Sequence, residues 1–154
     1  DPVNCATPGT PASCVPLGSQ KRIPGAIVEY QLLVSNAGGV TDADAVTITD
    51  IVPTGARLFV GDIGAPASGP VAFANGATAS GLSYNFTALG DAGDDVAFSS
   101  DAGPVYGYGY TPTPGVNGCD TAVTALRVNP KGAFVADVAT PDPSFTLRFW
   151  VCIL

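Results

Sequence analysis

Apolar and polar side chains alternate with a period of two along much of this chain, the spacing of a half-buried strand. Residues 27–35, IVEYQLLVS, show it best. Val28, Tyr30, Leu32 and Val34 share one face, and Ile27, Glu29, Gln31 and Leu33 share the other. The last eleven residues repeat the pattern. There Phe145, Leu147, Phe149, Val151 and Ile153 form a core stripe opposite Thr146, Arg148, Trp150, Cys152 and Leu154. Further strands are predicted at 46–52, 58–60, 71–73, 82–89, 96–99, 106–110, 123–128 and 133–138. Turns are expected at Pro53-Thr54-Gly55, at Asn75-Gly76 with hairpin character, and at Asn129-Pro130-Lys131-Gly132, which would join 123–128 to 133–138.

Nine or ten short strands parted by Gly, Pro, Asn and Asp, with no helical period between them, predict an antiparallel sandwich or barrel. A parallel sheet would need crossover helices. Residues 1–19 break the pattern, with four Pro and two Cys. They predict an irregular arm ahead of a single domain at 20–154.

Composition narrows the function classes. Charged residues are 12% of the 154, about half the usual share. Six basic residues and a net charge of −7 repel phosphate and exclude nucleic acid as a partner. A chain 46% hydrophobic and weakly charged collapses and does not stay disordered. With no His in the chain, the Ser-His-Asp and Cys-His machineries and histidine metal sites are excluded. No apolar run reaches the roughly 18 residues of a membrane span. A chain beginning at Asp1 with no Met reads as a secreted product after signal-peptide removal.

Cys5, Cys14, Cys119 and Cys152 form an even set without a C-x-x-C pair, which points to disulfides in an oxidising compartment and away from zinc. Three connectivities exist. Cys5–Cys14 with Cys119–Cys152 is favoured, because the first two bracket a short Pro-rich loop. Crossed pairings would tie the arm to the body.

The run Pro24-Gly25-Ala26-Ile27-Val28-Glu29-Tyr30-Gln31-Leu32-Leu33-Val34-Ser35-Asn36-Ala37-Gly38 resembles the opening of the conserved repeat domain of bacterial and archaeal surface proteins. Ile48-Thr49-Asp50-Ile51-Val52-Pro53-Thr54-Gly55 resembles its following Val-x-Asp-x-x-Pro-x-Gly motif. The resemblance spans about residues 24–55. It implies an Ig-like β-sandwich on a secreted or cell-surface protein.

Candidate chemistry is sparse. Asp91, Asp94, Asp95 and Asp101, with Asp42 and Asp44 apart from them, supply oxygens of the kind calcium takes. The D-x-D-x-D-G spacing is absent, so turn-forming aspartates are the expected role and no metal or cofactor is assigned. Tyr106, Tyr108 and Tyr110 would line one strand face, either covering the core or a neighbouring element, with Gly107 and Gly109 allowing close backbone approach, or stacking on sugar rings. Asn85-Phe86-Thr87 is a glycosylation sequon placed mid-strand. No nucleophile motif or catalytic carboxylate pair is present, so no catalytic residue is assigned. Trp150 and Leu154, opposite the final core stripe, are expected to form an assembly interface covered by a neighbouring subunit, the alternative being cover by the chain's own N-terminal arm through a disulfide at Cys152.

The expectation is an all-β, Ig-like antiparallel β-sandwich with long loops and a disulfide-stapled N-terminal arm. Its expected role is that of a non-catalytic, extracellular structural subunit that self-assembles into a surface filament, pilus-like fibre or envelope layer, by subunit packing or strand exchange. The partner is the chain itself, with other surface components beside it, and no membrane insertion. The alternative is an extracellular carbohydrate- or ligand-binding module.

Overall fold

The computed structural model describes residues 24–138 and 140–154. Cys5, Cys14 and the arm at 1–19 lie outside the described residues. Eight strands form among the described residues: β1 (Ile27–Ser35), β2 (Ile48–Ile51), β3 (Ala56–Phe59), β4 (Val71–Asn75), β5 (Val96–Ser99), β6 (Cys119–Asp120), β7 (Ala125–Val128) and β8 (Ser144–Ile153). All pairings between them are antiparallel, and they make two sheets. The fold is an all-β sandwich.

β8 organises the larger sheet. β1 pairs with it over all nine residues, from Ile27 opposite Cys152 to Ser35 opposite Ser144. On its other edge β4 pairs with Phe145–Phe149 and β3 with Val151–Ile153. β6 extends the sheet beyond β3. The smaller sheet has β7 between β2 and β5.

The period-two faces fall where the pattern puts them. Phe145, Leu147, Phe149 and Val151 are buried in the shared core with Val96, Phe98, Leu126 and Val128 of the smaller sheet. Val28, Tyr30, Leu32 and Val34 of β1 face the same core opposite them. Tyr30 stacks on Phe149 at 5.5 Å, and Phe73 on Phe145 at 5.1 Å. Burying one such side chain contributes about 1.5–3 kcal/mol, so this stripe dominates the energetics.

Local chemistry ends β1 and β2, at Pro53–Gly55 as expected and at Asn36 as well. Gly55, at φ +85°, closes the Pro53–Ala56 turn through Ala56 N–H to Pro53 C=O at 3.0 Å, a conformation that non-glycine residues adopt at a cost. Asn36 ends β1 by accepting the Gly38 N–H and donating to Gly39 C=O.

Elsewhere the strand expectations need correction. Residues 133–138 do not pair with β7, because β2 and β5 occupy both of its edges. They run as an irregular segment, held by Val135 N–H to Ser80 C=O and Phe134 N–H to Thr41 Oγ1. Residues 82–89 and 106–110 make only isolated bridges, Ser83 with Lys131 and Tyr110 with Phe98. Asn75-Gly76 is not a two-residue hairpin turn. Neither residue has the positive φ such a turn needs, and β4 pairs with β8. The Asn75 carboxamide oxygen instead accepts from Ser80 N–H and Oγ–H.

Candidate functional site

The outer face of the larger sheet carries a second, smaller core. Phe59, Ile63, Cys119, Trp150 and Cys152 are buried together, with Ile27 and Ala72 packed against them. β3 and β8 bring Phe59 and Trp150 side by side, their rings 5.3 Å apart and tilted by 46°. The Trp150 indole N–H donates to Glu29 Oε2 at 3.0 Å from the neighbouring strand. Gly118, at φ +75°, lies against the Phe59 ring, and a Cβ there would come within 2.6 Å of it. The Cys119–Cys152 disulfide ties β6 to β8 through this cluster and closes a separation of 33 residues.

This corrects the expectation for Trp150. Its ring is 3% exposed. The domain already covers it, so a neighbour has almost nothing left to bury. Leu154 is 54% exposed, and its N–H donates to Gly55 C=O. The two residues expected to form one interface therefore sit in different environments. Strand exchange through β8 loses its basis as well, because β8 is a central strand with both edges paired.

The aspartates act as loop anchors. Asp94 accepts the Thr87 and Ala88 N–H groups at 2.7 and 3.1 Å. Asp95 is buried and accepts the Asn85 N–H at 2.7 Å, with the Lys131 ammonium at 3.9 Å. Asp91 closes its own turn on Gly93 N–H. Asp101 accepts from Gly107 N–H and Ser99 Oγ. Asp44 holds Gly132 N–H from across the fold. Each carboxylate points at backbone donors, which are otherwise costly to leave unpaired. No group of three or more acidic or Cys side chains among the described residues is close enough to hold a metal ion.

Two anchors of the same kind carried no motif. Asp120, buried beside Cys119, accepts from Tyr110 O–H, Thr113 N–H and Ala122 N–H at 3.0, 2.6 and 2.6 Å. Asp62 accepts the N–H groups of Ala67 and Gly69, both at 2.8 Å. Their one signal in the sequence is an Asp beside apolar residues in a Gly-rich stretch.

Two of the three tyrosines are engaged within the domain. Tyr110 packs against the core. Burial, then its hydrogen bond to Asp120 and that carboxylate's charge, push its hydroxyl pKa up. The Arg127 guanidinium lies 4.5 Å from the centre of the Tyr108 ring, covering a face that a sugar would need. Tyr84, stacked on Phe73, has a buried hydroxyl with no hydrogen-bond partner among the described residues. Burial and the charges of Asp94 and Asp95 raise its pKa well above the ordinary tyrosine value. Asn85 of the sequon is exposed in an irregular segment and not mid-strand. No family model, curated protein or solved structure matches this chain.

Proposed function

We propose that this chain is a structural subunit of an extracellular assembly, a surface filament, pilus-like fibre or envelope layer, built by packing copies of itself without catalysis. The observation that carries this reading is the surface. The chain has only 19 charged side chains, and seven of its aspartates hold the chain's own backbone and hydroxyl donors, Asp95 and Asp120 from buried positions. Meanwhile Leu33, Ile51, Val105, Val138 and Leu154 stand exposed. Such a surface carries few charged groups to desolvate on contact and much apolar area for packing. The anchored loops and the disulfide suit a rigid building block in an oxidising compartment. The resemblance over residues 24–55 agrees with a surface protein.

The test is negative-stain imaging and sedimentation of the natively purified protein across concentration and salt. Fibres, sheets or concentration-dependent oligomers are expected. Dispersed particles of monomer mass under every condition overturn the reading.

A further inference from the structure

β1 lies at the end of the five-stranded sheet and pairs only with β8 among the described residues. Its ladder parity follows from the two ends. Asn36 N–H donates to Pro143 C=O at 2.9 Å, and Ile153 N–H donates to Ala26 C=O at 2.8 Å. The register between them is continuous, so even-numbered residues of β1 bond to β8. Ile27, Glu29, Gln31, Leu33 and Ser35 therefore point their N–H and C=O groups away from β8. Among the described residues no strand lies on that side.

Side chains at this rim are incompletely covered too. Phe145, Leu147, Phe149 and Val151 of β8 are fully buried, but Val34, Leu32, Tyr30 and Val28 opposite them are only half-buried. Leu33, on the outer face, is 70% exposed. Edges of this kind are normally protected by Lys, Pro or a bulge. β1 has none of these. Its one charge, Glu29, accepts the Trp150 indole N–H.

We infer that β1 is where two copies of this chain join, edge to edge and antiparallel about a two-fold axis at Gln31, into one continuous sheet. The inference rests on the reading of the chain as a self-assembling subunit and names the contact. The strand is self-complementary in that register. Gln31 pairs with Gln31 of the second copy, Glu29 with Leu33, and Ile27 with Ser35. All five outward residues fall on hydrogen-bonded pairs, so every open backbone group of the edge is used. On the core side Val28 meets Val34 and Tyr30 meets Leu32, extending the apolar layer across the junction. Other two-fold registers do worse. An axis at Glu29 sets two carboxylates directly opposite each other, which destabilises. An axis at Leu33 leaves the Ile27 and Glu29 backbone groups unpaired. With each chain carrying −7, screening by salt should favour the pairing.

The test uses the full chain in sedimentation equilibrium with two variants at the axis and one off it. Gln31→Pro removes a donor that β8 does not use, and Gln31→Lys sets two ammonium groups opposite each other. Both are expected to raise the dimer dissociation constant at least tenfold with the circular-dichroism spectrum unchanged. Leu33→Lys places an ammonium opposite Glu29 and is expected to keep or tighten the dimer. Amide hydrogen exchange supplies a readout independent of mutation. Gln31 and Leu33 amides should exchange fast in dilute protein and become protected as concentration rises. If wild type assembles and folded Gln31→Lys assembles equally well, this contact is wrong while the subunit reading stands. If those amides are already protected in dilute monomer, the chain's own residues cap the edge and the inference fails. If wild type never associates, both fall.

Discussion

Replacing Trp150 by Ala separates a ring held inside the domain from one held by a neighbour. The ring is 3% exposed, wedged against Phe59 and the Cys119–Cys152 disulfide. A buried Trp removes roughly 200 Å² from water, which at about 25 cal/mol per Å² corresponds to about 5 kcal/mol. Measured Trp-to-Ala losses run about 3–5 kcal/mol, depending on how far the site collapses. Collapse is hindered here, because the disulfide and the Gly118–Phe59 contact hold the surrounding walls. Glu29 is exposed and regains water when its indole donor goes, so it adds little. The expected loss is therefore about 3–5 kcal/mol, a large part of the 5–15 kcal/mol that a domain has. Urea unfolding followed by circular dichroism is the assay, since the variant has no other Trp to report by fluorescence. With a slope of about 2 kcal/mol/M the midpoint falls by about 2 M. Trp150→Phe keeps a ring and is expected to lose about half as much. A midpoint within about 0.5 M of wild type, together with weakened self-association, would refute an intradomain role and restore Trp150 as an assembly surface.

Three further outcomes follow from the same structure. Substituting Cys119 and Cys152 together by Ala opens a loop of 33 residues and is expected to cost about 4 kcal/mol in urea unfolding, leaving Cys5 and Cys14 untouched; a loss below about 1 kcal/mol would mean that the loop is otherwise held. Tyr84→Phe removes a buried hydroxyl that has no partner among the described residues, so stability at pH 7 should be unchanged or slightly higher. Because the folded hydroxyl titrates above the unfolded one, near pH 10, its contribution is whole below pH 10 and is lost as pH rises beyond it; thermal melts should show a shallower alkaline decline in the variant. Chelator is expected to leave the unfolding midpoint in place, since the aspartates hold backbone N–H groups; a drop worth several kcal/mol would identify a structural cation.

The alternation of residues decided which faces are buried. In β1 and β8 the apolar stripe is continuous over nine or ten residues, and one face of each must meet the core whatever the partner. Turn chemistry at Pro53–Gly55 was legible for the same reason, because that backbone conformation depends on residues close in sequence. The role of the aspartates as loop anchors was readable as a type, though Asp62 and Asp120 carried no spacing that singles them out. Pairing was not legible, because it depends on which edges remain open after the other strands have formed. Residues 133–138 alternate as a strand does, yet β7 has no edge left for them. Phe134 reaches the core from an irregular segment instead. Trp150 shows the same limit. Its place opposite the core stripe followed from the period, but its cover comes from Phe59, Ile63 and Cys119, 31 to 91 residues away. Only the folded chain decides that a face turned from the main core is sealed by a second, smaller one, while no strand among the described residues covers the β1 edge.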